Sequence, residues 1–297
     1  MSKPLLPPTS DFVFKLIFGD KRNVNDLIAF LQAVLDLPAS EYDYITFTDP
    51  AVKKEFKGDK AGVLDVKIHT TSGYVIDVEI QVDPRSPLRE RIMYYSSKMF
   101  TEQIGSGDDY DVICRVICIV ITDYNLIADD TAYQHKFHLY DETTGTELTN
   151  LLEVHTLELP KLPKENDSTK LWDWMKFFKV RQEEELAMLE QQAPALRNVV
   201  VRLRELSADE EARLLYEKRE LARLDRDTIL HRAVREARQE GQREGQREGQ
   251  RKGQREGQQE GQRAEKRETA RRMKAKGYQV KDIIDLTDLS AAEIETL

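Results

Sequence analysis

The chain has 297 residues with 45 Lys/Arg against 54 Asp/Glu, so it is long enough to bury its own core, and its net charge of −9 argues against a tight nonspecific DNA clamp. Two cysteines are too few for a disulfide framework, and without an 18-residue apolar run the chain has no candidate membrane-spanning helix. The start, Met1-Ser-Lys-Pro-Leu-Leu-Pro-Pro8, lacks the apolar stretch of a secretion signal, so a soluble, cytoplasmic protein is expected.

Ser10 is placed to cap a helix over 11–18 that Gly19 ends, and Asn23 starts a second whose Val24, Leu27, Ile28, Leu31 and Leu35 form one apolar stripe. Residues 42–48 read as extended, and Asp49-Pro50 opens a charged loop through Lys53, Lys54, Lys57 and Lys60. Two strands follow. In Val63-Leu-Asp-Val-Lys-Ile-His69, the residues Leu64, Val66 and Ile68 share one face, with Asp65, Lys67 and His69 on the other. In Val75-Ile-Asp-Val-Glu-Ile-Gln-Val-Asp83, Ile76, Val78, Ile80 and Val82 oppose Asp77, Glu79 and Gln81, and both runs read as half-buried.

The three-residue connection Thr71-Ser72-Gly73 ends on the glycine that a left-handed turn position favours. That loop pairs Thr70 with Tyr74, Lys67 with Asp77 and Asp65 with Glu79; a two-residue loop would set Asp65 against Ile80 and cross a polar face with an apolar one. Opposed side chains have Cβ atoms about 4.5–5.5 Å apart, and two like charges there repel. Either a divalent cation compensates, or the face is solvated and Lys67 neutralises its neighbours.

After Asp83-Pro84 a helix over 88–104 presents Leu88, Ile92, Tyr95 and Met99 to the sheet, with Arg91, Lys98 and Glu102 to one side. The apolar run 112–121 reads as a central strand with Cys114 and Cys118 as packing residues, and weaker extended segments follow at 134–140 and 151–159. His135 and His138 lie three apart on the first of these, on opposite faces, which disfavours a shared zinc ion. From 170 to 240 the periodicity is helical, beginning with an aromatic segment, Leu171-Trp-Asp-Trp-Met-Lys-Phe-Phe178, that should dock on the preceding body.

Residues 241–262 repeat Gly-Gln-Arg-Glu, with glycine at 241, 245, 249, 253, 257 and 261. Six interior glycines cost about 1 kcal/mol each against about 0.2–0.5 from each Glu–Arg pair, so an isolated helix should fray; a marginal helix between better-formed neighbours is expected, with a mobile basic linker as the alternative. Residues 232–274 hold 14 Lys/Arg against 8 Asp/Glu, a local surplus suited to weak phosphate contact or to a solvated spacer. Three short helices over 269–276, 280–286 and 290–297 complete the chain, with Ser290-Ala-Ala-Glu293 as a capping box. Their outline suits a helix-turn-helix, but Glu293, Glu295 and Thr296 suit packing or self-association better than base reading.

An acidic strand residue, a hairpin, Glu-x-Gln on the next strand and a helix behind it resemble the PD-(D/E)XK nuclease core. More closely, Asp11-Phe-Val-Phe-Lys15, Leu64-Asp-Val66, Val78-Glu-Ile-Gln-Val82, Arg91-Ile-Met-Tyr-Tyr95 and Asp109-Tyr110 resemble the Rpn-type family of recombination-promoting nucleases and transposases. The resemblance implies an α/β fold, a mixed sheet flanked by helices and followed by a helical extension. Its expected divisions are a nuclease-like domain over 1–160, a helical extension over 165–240, the repeat linker over 241–262 and a helical module over 265–297.

It also implies a Mg²⁺- or Mn²⁺-dependent DNA endonuclease whose cleavage promotes recombination or transposition-like events. Asp65 and Glu79 would hold the metal with the backbone carbonyl of Ile80, and Gln81 would stand at the motif's lysine position. Glutamine can only hydrogen-bond there, so another cation would have to supply the charge. Lys67, with Lys60 behind it, is the nearest candidate, although Lys67 equally serves to neutralise Asp77. Asp11 either adds an outer carboxylate or favours its own helix N-terminus. Arg91 and Tyr95 either orient Glu79 and approach phosphate or, for Tyr95, serve the apolar stripe. The alternative is a catalytically silent scaffold that binds nucleic acid or protein and forms homo-oligomers through its helical tail.

Overall fold

The computed structural model describes residues 4–48 and 65–297. Lys53, Lys54, Lys57, Lys60, Val63 and Leu64 lie outside them. The described residues form two units, 1–219 and 220–297.

In the first unit a six-stranded mixed sheet has the order β1-β2-β3-β4-β6-β5. The short β1 (Thr46–Phe47) pairs antiparallel with β2 (Val66–His69), which forms the hairpin with β3 (Val75–Gln81). Lys67 opposes Asp77, the Thr70 N–H donates to the Tyr74 carbonyl, and Gly73 has φ +82°, so the three-residue loop sets the register as its sequence requires. β4 (Val116–Thr122) runs parallel to β3 and to β6 (Glu147–Glu158), and β5 (Gln134–Tyr140) closes the far edge antiparallel to β6. The predicted central strand is therefore present but starts later, after a short helical turn at 110–112 that leaves Cys114 before it.

Both faces of the sheet are covered. Ile76, Val78, Ile80, Ile117, Ile119 and Ile121 face a large core containing α1 (Asp11–Phe18), α2 (Val24–Val34), α4 (Lys170–Lys179), α5 (Glu183–Gln192) and α6 (Arg197–Ala208). The segment read as an extension from 165 thus packs directly on the sheet layer, because Trp174, Phe177 and Phe178 bury against Phe14, Phe18 and Phe30.

On the opposite face α3 (Leu88–Thr101) lays Leu88, Ile92 and Met99 over Val75, Val116, Cys118 and Val120. This corrects the expectation of a half-buried second strand. Residues 75–80 of β3 are buried on both sides, and Asp77 and Glu79 lie beneath α3 rather than in solvent. Ser10 also makes no side-chain cap on α1, where the Asp11 carboxylate instead accepts from the Phe12 N–H.

Helix α7 (Glu210–Ala275) runs without a break through the glycine repeats. Extending a helix already formed on either side avoids the nucleation cost that an isolated repeat would meet. A Cβ added at any of the six glycines would touch nothing within 4 Å, so crowding does not explain them. In the second unit α8 (Val280–Thr287) and α9 (Ala291–Glu295) pack Ile283, Leu289 and Ile294 around Ala270, with the Ser290–Glu293 capping box formed as its sequence predicts.

Candidate active site

The hairpin delivers its acids to the end of β3 where the two flanking helices also converge. Asp65 stands just before β2, and its Oδ2 accepts the backbone N–H of Ile80 at 2.9 Å. Its Oδ1 meets Lys15 Nζ at 2.9 Å, so a cation from α1, a helix packed on the apolar side of the sheet, reaches this carboxylate. Burial raises the Asp65 pKa, the Ile80 N–H and Lys15 pull it down, and the charge of Asp11 raises it again. Asp11 is thereby electrostatically part of the site while remaining exposed.

Glu79 is 3 % exposed, and its Oε1 has no hydrogen-bond partner. Burial, followed by the charge of Asp65, pushes its pKa up to about 7 despite Arg91 and Lys15. Asp77, also 3 % exposed, carries an unpartnered Oδ1; burial and then the charges of Glu79 and Asp65 drive its pKa well above the usual carboxylate range.

Glu153 on β6 shows what a paired acid looks like here. It is 2 % exposed, yet a hydrogen bond from His155 and the charges of His155, Arg115 and Lys136 outweigh burial and hold it at about 2. His138 joins it from β5, while His135 lies near Glu158, so these two histidines do point apart. Glu153 is neutralised by the protein itself. In the Asp65–Asp77–Glu79 group, by contrast, burial outweighs the nearby charges of Lys15, Lys67 and Arg91 and holds the carboxyls above their usual range.

Arg91 on α3 bridges that group to the motif's last position, with Nη2 3.6 Å from Glu79 Oε2 and Nη1 donating to Gln81 Oε1 at 3.3 Å and Ser86 Oγ at 3.2 Å. Its guanidinium lies 5.6 Å from the Tyr95 ring centroid, and Tyr95 packs against the core beneath α3, as its place on the apolar stripe predicts. Lys67 opposes Asp77 in register and lowers its pKa, but its ammonium sits 3.1 Å from Glu102 Oε2, both side chains 10 % exposed. Ile80 contributes its N–H, while its side chain joins the core.

Sequence reasoning missed Lys15, the partner of Asp65. The available signal was its position one turn after Asp11 on the first helix, on a polar side of an otherwise apolar segment. It also missed Asp77 as a member of the acidic group.

Residues 8–233 match the family described as PD-(D/E)XK nuclease family transposase. The chain belongs to this family. The mixed sheet flanked by helices and followed by a long helix agrees with that membership, which carries a nuclease- or transposase-like role. No curated protein and no solved structure matches the chain significantly. Among the described residues, no helix is long and apolar enough to cross a membrane.

The donor set suits a hard cation. Asp65 and Glu79 offer only oxygen, and Glu79 Oε1 is buried without a donor. Among the described residues no group of three or more His, Cys, Asp or Glu is arranged to hold a metal ion.

Proposed function

We propose that this PD-(D/E)XK family member is a Mg²⁺- or Mn²⁺-dependent DNA endonuclease whose cuts promote recombination or transposition-like events. The observation that carries this reading is the buried Glu79 carboxylate, raised to about 7, whose Oε1 has no donor while Arg91 lies 3.6 Å from its Oε2. Asp65, Glu79 and the Ile80 carbonyl would hold the ion, which when bound lowers the pKa of its water and polarises a phosphoryl oxygen.

The chain's own groups do the rest. Lys15 and the Ile80 N–H fix the Asp65 carboxylate, Arg91 fixes Glu79 and Gln81, and α3 keeps bulk water from the far side of Glu79. In the reaction a water oxygen bonds to phosphorus as the bond from phosphorus to the leaving sugar oxygen breaks. That oxygen takes one proton to become a hydroxyl, and the other product is a terminal phosphate.

Purified protein with supercoiled plasmid and Mg²⁺ should give nicked or linear DNA, EDTA should stop it, and Asp65→Ala should lower the rate by about 10³-fold. Equal cleavage by the variant would remove the reading. The proton on Glu79 gives a second expectation. Metal binding must displace it, so Mg²⁺ affinity should rise about tenfold per unit as pH climbs toward 7 and level off above it. Calorimetry at pH 6 and pH 8 should show the tighter binding at pH 8, with proton release at pH 6; equal affinities at the two values would argue against Glu79 as a ligand.

The second reading, a silent scaffold assembling through its tail, draws support from neutral Gln81 and from Leu221, Leu224, Ile229, Leu230 and Val234, all at least half exposed on α7. Absence of Mg²⁺ binding dependent on Asp65 and Glu79 would favour it.

A further inference from the structure

A nuclease site with glutamine at the motif's lysine position lacks a charge next to the reacting phosphate, and three cationic side chains compete to provide it. Gln81 itself is neutral and accepts a hydrogen bond from Arg91. The Lys67 ammonium is paired with Glu102 in a contact only 10 % exposed on each side. Arg91 is anchored to Glu79, Gln81 and Ser86 at once. Lys15 lies 2.9 Å from Asp65 Oδ1 with its side chain 32 % exposed, so it is more open than Lys67; Arg91 is as exposed, at 31 %, and also touches a proposed ligand, but Gln81 and Ser86 hold it in place as well.

We propose that Lys15, supplied by the first helix from across the sheet, is the cation that contacts the scissile phosphate in place of the missing motif lysine. This rests on the nuclease reading above. A lysine suits the task because its charge is compact and its four-carbon stem can turn while α1 stays fixed by Phe14, Ile17 and Phe18 in the core. With Asp65 bound to a divalent ion, the ammonium loses its reason to stay on that carboxylate, and a phosphate oxygen is the next available anion. Lys15 neither gives nor takes a proton in this role; it offsets charge that builds on the phosphoryl oxygens. The competing account is that Lys15 only offsets the charge of Asp65, whose side chain is 9 % exposed.

The two accounts separate when metal affinity and turnover are measured on the same variants. Lys15→Met removes a cation that competes for Asp65, so calorimetry without DNA should show Mg²⁺ bound several-fold more tightly than by wild type. Plasmid cleavage at saturating Mg²⁺ should nevertheless turn over about 10²-fold more slowly, and Lys15→Arg should recover most of that loss. Turnover of the Met variant that returns to the wild-type value at saturating Mg²⁺ overturns the proposal, since a mere counter-ion is dispensable once metal is bound. Weaker Mg²⁺ binding by the Met variant overturns it too, because the ammonium would then be holding Asp65 in place. Lys15→Gln, nearer in length and polarity, replaces the Met variant should circular dichroism show the latter unfolded. Wild-type protein that leaves plasmid intact sinks the nuclease reading and this proposal together, whereas cleavage by wild type and Met variant alike sinks only the role of Lys15.

Discussion

Glu79→Gln is expected to abolish cleavage, lowering the rate by about 10³-fold or more, while leaving the metal-free protein at pH 8 as stable as wild type or more so. The two effects have one origin. In the folded protein, burial and the charge of Asp65 hold the Glu79 pKa near 7, against 4.5 for the free side chain. Between those values the folded state keeps a proton that the unfolded state has lost. Stability from this group is therefore full below about pH 4.5 and disappears as pH rises through 7. At pH 8 the wild type carries an ionised, buried carboxylate at a cost on the order of 3 kcal/mol, which glutamine does not incur.

An acid kept for structure would behave the other way, as Glu153 should, since its cations depend on its charge. Plasmid cleavage and thermal melting at pH 6 and pH 8 check the pairing of effects. Asp77, raised by the same neighbours, contributes a slope of the same sign, so the variant should flatten the pH dependence without removing it. A variant that still cleaves, or that melts lower than wild type at pH 8, would contradict the assignment of Glu79 as a functional acid.

The hairpin register was legible because period-two alternation and Gly73 allow only one pairing that keeps apolar residues together. The central strand β4 was legible from its unbroken apolar run, and the aromatic helix α4 from its composition. The burial of Asp77 and Glu79 was not. Alternation shows that one face is polar, but says nothing of what covers that face, and here the cover is α3, with Leu88, Ile92 and Met99 buried and Tyr95 and Phe100 packed beside them.

Lys15 lies on a legible polar position of the first helix, but its pairing with Asp65 was not legible, for a different reason. It stands 50 residues before Asp65 on a helix belonging to the other layer, so its arrival depends on three-dimensional packing rather than on local spacing. The helical course of α7 through its glycines was legible as a marginal helix between better-formed neighbours, since the chain presents that segment already flanked by helix.

Packing on the α1 layer sets the other large effect. Phe178 on α4 is fully buried, with ring centroids at 6.0 Å from Phe14, 5.9 Å from Phe18, 5.6 Å from Phe30 and 5.6 Å from Phe177. Removing the ring leaves a cavity among aromatic neighbours that cannot all collapse into it. Phe178→Ala should cost about 3–5 kcal/mol, which for a unit of this size lowers the melting temperature by about 6–20 °C.

Two of those neighbours, Phe14 and Phe18, belong to the helix that carries Asp11 and Lys15. Loosening their contact should therefore reduce cleavage even at temperatures where the variant remains folded, although it touches neither carboxylate. Calorimetric melting and cleavage measured well below the transition test both parts. A loss of less than about 2 °C would mean that the aromatic cluster does not anchor α4 to the sheet layer. Unchanged cleavage in a strongly destabilised variant would mean that α1 holds its position at the site without that anchor.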